Sequence, residues 1–344
     1  MRTRLIALFL LLLLPFLMLS CDKSPKIRTK EYYDLFNTVT TIHSYLGDDG
    51  TDFDVRCSEV YKTLSEYHKL FDIYHEYAGI NNLATVNRLA GREAVTVSPI
   101  LIDFLLFAKE MYVLTDGRTN IAIGAVTKLW HDERGAAEGG VGKLPDDEVL
   151  KEAAKHASID CLVIDKESST VYITDPNMSL DVGAVGKGYA AEMAKKRLES
   201  LGVTSYVLNV GGNICAIGEK PSGEGWRTSV RNPSGDGYAE TFIIKNLSSV
   251  TSGDYERYYT VDGVKYHHII DPLTLHPAGY FSSVTVFTEN SALADALSTA
   301  LFCMSYEDGS QLISKLDGVS VMWITADGEE LLSDGARELL ADKE

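Results

Sequence analysis

The chain has 344 residues, of which 45% are hydrophobic and 24% charged, a balance that suits one large globular domain or two closely joined ones. Its formal net charge of −17 argues against nucleic acid as a partner, because phosphate backbones require a basic surface. A nucleotide ligand remains compatible with this charge, since a divalent metal can supply positive charge locally.

The N-terminus has the pattern of an export signal. A basic start precedes an apolar run from Ile6 to Leu19, which is shorter than the roughly 20 residues of a comfortable transmembrane helix. The segment Leu17–Cys21 resembles a bacterial lipoprotein signal, with methionine where leucine is usual. We therefore predict a signal peptide over residues 1–20, a lipid on Cys21 and a polar tether over residues 21–30. The alternative is an ordinary secretory signal that is cut nearby.

Apolar spacing in the following part of the chain predicts strands and then helices. A strand pair covers Tyr32–Leu46, and the first long helix covers Phe53–Leu70. The aromatic and amide-rich segment Phe71–Leu89 is typical of a ligand-facing loop that leads into a short helix. The next helix begins at Ser98-Pro99, with serine as N-cap and proline in the first turn. The charged, glycine-rich run from His131 to Asp147 predicts a mobile loop.

The segment Leu180–Gly188, LDVGAVGKG, lies between a strand and the predicted helix Tyr189–Leu201. Glycines there let main-chain groups approach a ligand, and the helix start favours anions, although the spacing is neither that of a P-loop nor that of a Rossmann fingerprint. A strand over Tyr206–Gly218 is interrupted by two glycines, and a helix covers Ser291–Met304. The other predicted elements are short and cover Val149–His156, Cys161–Asp165, Thr170–Thr174, Trp226–Arg231, Glu240–Val250, Thr285–Phe287, Val319–Thr325 and Gly335–Leu340. They follow no regular βαβ order, which predicts an α+β fold.

The stretch from Ser252 to Ala278 is the most informative part of the sequence. Two runs rich in tyrosine and β-branched residues flank Asp262-Gly263, a dipeptide that favours a two-residue hairpin turn. The second run carries His267 and His268 before a proline ends it. Because adjacent strand residues point to opposite faces, only one of these histidines can face a site. The alternative is a surface hairpin with one buried, hydrogen-bonded histidine.

Four cysteines follow the signal segment, and none forms a CxxC pair or a zinc-ligand spacing. Three of them lie within apolar runs, where a thiol behaves as a small hydrophobic group. We predict buried free thiols at Cys57, Cys161, Cys215 and Cys303.

Six motifs together resemble the ApbE family, the FAD:protein FMN transferases, and in particular its spirochaete-type lipoproteins. The resemblance covers roughly Tyr32 to the C-terminus. The motifs, in chain order, are Asp116-Gly117, LDVGAVGKGYA from Leu180, LNVGGNI from Leu208, SGDYERYY from Ser252, HHIIDP from His267 and ADALSTAL from Ala294.

This resemblance implies a fold of the T-fold kind over residues 31–344, with two closely joined subdomains and a flavin nucleotide cleft between them. It implies FAD as substrate, Mg²⁺ as cofactor, and transfer of FMN to a threonine hydroxyl of a partner redox protein with release of AMP. It also implies a lipid-anchored protein on the inner membrane that faces the periplasm. Two alternatives are an FAD pyrophosphatase, in which water replaces threonine, and a flavin-binding lipoprotein without catalysis.

The candidate metal ligands are oxygen donors. Asp295 and Thr299 are four residues apart and share one helix face, and Mg²⁺ prefers oxygen ligands. The resemblance adds a main-chain oxygen at Ala184. For Thr299 the alternative is a hydroxyl that bonds back to the carbonyl of Asp295.

For the chemistry, the resemblance implies His268 as the general base, with Asp271 orienting it or binding flavin, and leaves His267 a structural hydrogen bond. Histidine titrates in the range that such a base needs. Matched positions that would line the flavin or nucleotide are Phe36, Tyr74, Thr119, Asn120, Asp181, Lys187 and Ile270. The sequence departs from the family pattern at Thr119–Ala122 and at Tyr77–Ile80, and both departures touch the flavin cleft.

Overall fold

The computed structural model describes residues 27–45, 51–138, 140 and 142–342. The predicted signal peptide and Cys21 lie outside these residues. The first strand, β1, spans Ile27–Leu35, so the last four residues of the predicted tether belong to the fold instead. Their polar character suggested a tether, but most of β1 is exposed and is held by backbone pairing with the next strand rather than by burial.

A single antiparallel sheet organises the structure. In spatial order its eight strands are β1, β2 (Thr38–Tyr45), β6 (Ser205–Val210), β7 (Asn213–Gly218), β10 (Ser248–Gly253), β13 (Phe281–Thr288), β14 (Ser320–Thr325) and β15 (Glu330–Leu332). A smaller sheet has the order β3 (Val95–Thr96), β5 (Thr170–Ile173) and β4 (Leu162–Asp165). Two separate hairpins are formed by β8 (Trp226–Arg231) with β9 (Tyr238–Ile244) and by β11 (Tyr258–Val261) with β12 (Val264–His267).

The described helices are α1 (Thr51–Phe71), α2 (Leu83–Arg88), α3 (Pro99–Leu114), α4 (Gly124–Glu138), α5 (Asp147–Ala154), α6 (Gly186–Ser200), α7 (Ser291–Phe302), α8 (Tyr306–Ile313) and α9 (Asp334–Glu338). Helices and strands are mixed, and the α+β prediction is confirmed. None of the described helices has both the length and the apolar character needed to cross a membrane.

The two faces of the large sheet are covered differently. Helices α1, α6 and α7 lie side by side across one face. On β13, Val284 and Val286 point into the core beneath α7, whereas Phe287 points to the other face and packs on Phe242 of the β8–β9 hairpin. This alternation follows from the two-residue repeat of a strand and shows that both faces are buried there.

The structure corrects several details of the sequence predictions. The run predicted as a loop from His131 is helical as far as Glu138, as part of α4, because Val126 and Trp130 bury one side of this helix. The strand predicted over Glu240–Val250 is divided by a turn at Asn246, which has a positive φ of 49°. None of the four predicted thiols forms a disulfide within the described residues, but Cys161 is only partly buried.

Helices α6 and α7 approach closely at Gly188. Asn290 caps α7 by accepting from the N–H groups of Ala292 and Leu293. A Cβ at Gly188 would lie 2.3 Å from the Asp295 Cβ and 2.5 Å from the Ser291 carbonyl oxygen. Only glycine therefore permits this helix spacing.

The substitution Gly188→Ala should lower the free energy of unfolding by about 1–3 kcal/mol, because the added methyl group has no space between the helices. The control is Gly135→Ala on α4, where a Cβ meets nothing within 4 Å. That change should stabilise the protein by about 0.5–1 kcal/mol through helix propensity. Urea unfolding of both variants measures the effect, and equal stability of the two would contradict the packing argument.

Candidate active site

A buried carboxylate lies at the junction of α6 and α7. Asp295 is only 4% exposed, and its Oδ2 accepts from the Gly188 N–H at 2.7 Å. Burial raises the pKa of this carboxyl, while the charge of Lys187 and the Gly188 bond act in the opposite direction. The buried Asn213 also acts on the carboxyl, although its amide nitrogen makes no well-aligned hydrogen bond within the described residues. A desolvated carboxylate of this kind favours a bound cation.

The carbonyl of Ala184 is four residues before Gly188, the residue that bonds to this carboxylate. It lies just before the N-cap of α6, and the next carbonyl, that of Val185, accepts the N–H of Tyr189 at 3.1 Å. Ala184 therefore precedes the helical hydrogen-bond pattern, and within the described residues no donor bonds to its oxygen.

The hydroxyl of Thr299 does not bond back to the carbonyl of Asp295, which was the alternative to metal ligation. Its Oγ1 lies 3.3 Å from Ser252 Oγ on β10. The hydroxyl that bonds back to the Asp295 carbonyl is that of Ser298, at 3.0 Å. Thr299 thus keeps its hydroxyl on the partly exposed side of α7, toward the end of the sheet.

Carboxylate, carbonyl and hydroxyl oxygens fit Mg²⁺, which commonly takes one or two carboxylates and completes its shell with water and phosphate. The described residues contain no group of three or more His, Cys, Asp or Glu side chains placed to hold a metal. The donor set at Ala184, Asp295 and Thr299 therefore suits a hard cation shared with a ligand rather than a closed zinc site.

The two adjacent histidines have different environments. His267 is buried, its Nε2 lies 2.8 Å from the Ala278 carbonyl, and its Nδ1 accepts from the Ile269 N–H at 3.2 Å. Its Nε2 therefore carries the proton, and the predicted structural hydrogen bond is confirmed. His268 points the other way and is exposed.

His268 lies in a recess with several positive charges. Desolvation, followed by the charges of Arg257, His267, Arg134 and Lys187, holds its pKa below the ordinary value of 6.5. Both causes act in the same direction, because desolvation and nearby positive charges each disfavour the charged imidazolium. The imidazole is thus neutral at pH 7 and able to accept a proton.

Asp271 forms no hydrogen bond with His268 among the described residues, and a contact of Asp271 with flavin stays a prediction. Its Oδ1 accepts from the Leu273 N–H at 2.9 Å and lies 3.4 Å from Arg118, which also donates to the Cys303 carbonyl. The turn after His268 directs this carboxylate into the core, where it is 3% exposed. The predicted orienting contact is therefore absent among the described hydrogen bonds.

Two of the predicted nucleotide-lining residues share one side of the recess. Tyr74 is 62% exposed, and its ring centroid lies 5.6 Å from that of His131 on α4. Burial of its hydroxyl and the nearby charge of Asp181 raise the pKa of Tyr74, which Arg134 and Arg257 oppose. Asp181 itself accepts from Thr127 at 2.7 Å.

Four other residues that were predicted to line the nucleotide make contacts within the protein itself. Thr119 is fully buried and donates to the Ala296 carbonyl at 2.8 Å, and Asn120 uses both ends of its amide on main-chain groups. Ile270 is buried in the cluster that contains Trp130. Phe36 occupies a turn at a φ of 54°, where its N–H bonds to His68. The contacts of these four residues with a nucleotide stay predictions.

Two site residues were not identified from the sequence. Arg257 lies opposite His268, whose N–H bonds to the Arg257 carbonyl at 3.0 Å. Counting outward from the Asp262-Gly263 turn gives this pairing, so the signal was present. Arg134 was hidden because its segment was predicted as a loop.

A cavity of about 740 Å³ lies elsewhere, between α1 and the segments 79–81 and 96–98. None of its lining residues is a predicted site residue. The chemistry described above, and not cavity volume, therefore locates the site.

Comparisons with known proteins agree with the sequence resemblance. A profile of the ApbE family matches residues 36–323. An FAD:protein FMN transferase of Treponema pallidum is 30% identical over 333 residues, which cover 92% of this chain and 90% of that protein. One from Klebsiella pneumoniae is 29% identical over 81% of this chain and 85% of its own length.

Solved structures of ApbE proteins have a similar fold. The ApbE protein of Thermotoga maritima superposes with a TM-score of 0.80 at 25% identity, covering 92% of this chain and all of that one. The flavin transferase ApbE of Vibrio cholerae gives a TM-score of 0.77 at 25% identity and the same coverage.

Asp295→Asn should keep the Gly188 hydrogen bond but remove the buried charge. The metal-free variant should be at least as stable as the wild type, yet lose the stabilisation by MgCl₂, which for a ligand at 100 times its Kd is about 2.7 kcal/mol. Thermal unfolding with and without MgCl₂ measures both effects. The exposed carboxylate of Asp103, which pairs with Lys166, provides the control variant Asp103→Asn, which should retain the full response. A retained Mg²⁺ response in Asp295→Asn would refute the assignment.

Proposed function

The chain belongs to the ApbE family, and on this basis we propose that it transfers FMN from FAD to a threonine hydroxyl of a partner redox protein and releases AMP. One observation carries the proposal: the charge of Lys187 acts on both Asp295 and His268. The proposed cation-binding carboxylate and the proposed proton acceptor therefore lie within electrostatic range of one side chain, an arrangement that suits cleavage of a diphosphate.

Ala184, Asp295 and Thr299 would hold Mg²⁺, which when bound would neutralise charge on the diphosphate. The fit rests on the desolvated carboxylate, the unbonded carbonyl and the accessible hydroxyl described above. Lys187, at the start of α6, would contact the same diphosphate, because helix N-termini and ammonium groups both favour anions.

The neutral His268 would accept the proton of the threonine hydroxyl. The new bond joins that oxygen to the phosphorus of the FMN half, and the anhydride bond breaks, so that AMP leaves with the bridging oxygen. General-base catalysis of this kind typically contributes about 10²–10⁴-fold to the rate. Tyr74 and Asp181 would line the flavin nucleotide from the α4 side.

Hydrolysis of FAD to FMN and AMP is a second candidate activity. It is favoured by the exposure of His268, because water can reach the same proton acceptor. Release of AMP in the absence of any acceptor protein would identify it. We also propose, on the sequence pattern alone, that Cys21 carries a lipid and anchors the protein to the inner membrane facing the periplasm.

His268→Ala should lower transfer by about 10²–10⁴-fold while FAD affinity changes little, because the lost group moves a proton and does not anchor the ligand. The assay incubates the enzyme with FAD, Mg²⁺ and a threonine-bearing redox subunit. Mass spectrometry then measures the gain of one FMN less water on the subunit. His43→Ala, on β2, is the control and should retain activity. Transfer at the wild-type rate by His268→Ala would show that another group is the base.

The kcat/KM for FAD, measured as AMP release at saturating Mg²⁺, should decline at low pH. The midpoint of this decline, the acidic limb of the pH profile, should lie below pH 6.5. The reason is that the pKa of His268 is lowered, so the base loses its function only when the pH falls below that shifted value. Arg257→Gln removes a neighbouring positive charge and should move the limb upward, toward 6.5. A limb at the same pH in both proteins would contradict this electrostatic account.

A further inference from the structure

Three cationic side chains act electrostatically on His268 and have no close ion pair within the part of the chain that the structure describes. Within the described residues, Arg134, Arg257 and Lys187 form no ion pair and donate no side-chain hydrogen bond. Other basic residues of this acidic chain do find carboxylates, as Arg197 does with Glu59 at 2.6 Å. Like charges held close together repel one another, so this group favours an anion from outside the chain.

Arg257 is placed by the hairpin. It extends β11 by one residue and faces His268 across the strand pair, with the 3.0 Å bond between their main chains fixing the register. Directly opposed residues in an antiparallel pair carry their side chains on the same face. The guanidinium and the imidazole therefore emerge from the sheet side by side.

Arg134 approaches that face from α4. Trp130, one helical turn earlier, stacks on Tyr266 with ring centroids 6.1 Å apart and donates to the Leu275 carbonyl at 2.9 Å. Tyr266 lies two residues before His268 and hence on the same face of the strand. The packed tryptophan thus holds α4 over the hairpin so that Arg134 lies on the His268 side.

We propose that Arg134 and Arg257 form a subsite for the flavin-side phosphate of FAD, the phosphoryl group that is transferred. This inference rests on the proposed function. In an in-line displacement the attacking and leaving oxygens lie on opposite sides of phosphorus. His268 serves the attacking hydroxyl, so the groups beside it contact the phosphoryl group under attack and not the phosphate that departs with AMP. The guanidinium fork fits phosphate oxygens with paired hydrogen bonds.

The test compares ligands with and without the phosphate. Affinities of FMN and riboflavin, and of AMP and adenosine, are measured by calorimetry at constant Mg²⁺ for the wild type and four variants. The variants are Arg134→Gln, Arg257→Gln, Arg257→Lys and Lys128→Gln. Lys128 also lies on α4 but is exposed and paired with Asp132, so its variant controls for net charge on the same helix.

The wild type should bind FMN more tightly than riboflavin. Each arginine-to-glutamine change should reduce this preference by about 10- to 100-fold, as expected for lost charge-assisted hydrogen bonds. Riboflavin affinity, which also reports correct folding, should change little. Arg257→Lys should recover part of the preference, and Lys128→Gln and the AMP-to-adenosine ratio should stay unchanged.

The subsite is refuted if the FMN-to-riboflavin ratio is the same in wild type and both glutamine variants, or if the AMP-to-adenosine ratio falls instead. A failure of the proposed function gives a different result. In that case the phosphate preference depends on the arginines as predicted, but the wild type neither transfers FMN nor releases AMP.

Discussion

The hydrogen bond from the Gly188 N–H to Asp295 is the contact on which the rest of the site depends. It joins the start of α6 to the middle of α7 at a spacing that any residue larger than glycine would prevent. The same carboxylate satisfies an unpaired donor of the helix N-terminus and remains desolvated. The fold thus tolerates a buried negative charge at the place where a cation can use it.

The positive charges near His268 contrast with the negative net charge of the whole chain. The chain has a formal net charge of −17, whereas the positive charges of Lys187, Arg134 and Arg257 all act on His268. A local positive field within an acidic molecule attracts an anionic ligand to that recess and not to the surface in general. Together with desolvation, the same charges lower the pKa of His268, so the proposed binding groups also act on the proposed base.

Local chemistry in the sequence was enough to predict several elements. The Asp262-Gly263 turn has φ values of 49° and 81°, as a two-residue hairpin requires, and Ser98 caps α3 as expected. Prediction failed where tertiary packing decides the structure. Glycine and charge in α4 suggested a loop, but burial of Trp130 stabilises the helix. Nothing local indicated that Asp271 turns inward to Arg118, because that partner is distant in sequence.

Arg118 links two parts of the candidate site. It donates to the carbonyl that ends α7 and pairs with Asp271, three residues after His268. The helix with the proposed cation ligands and the segment that follows β12, which carries the proposed base, are therefore linked through one side chain. Separating α7 from this segment would require breaking the ion pair between Arg118 and the buried Asp271.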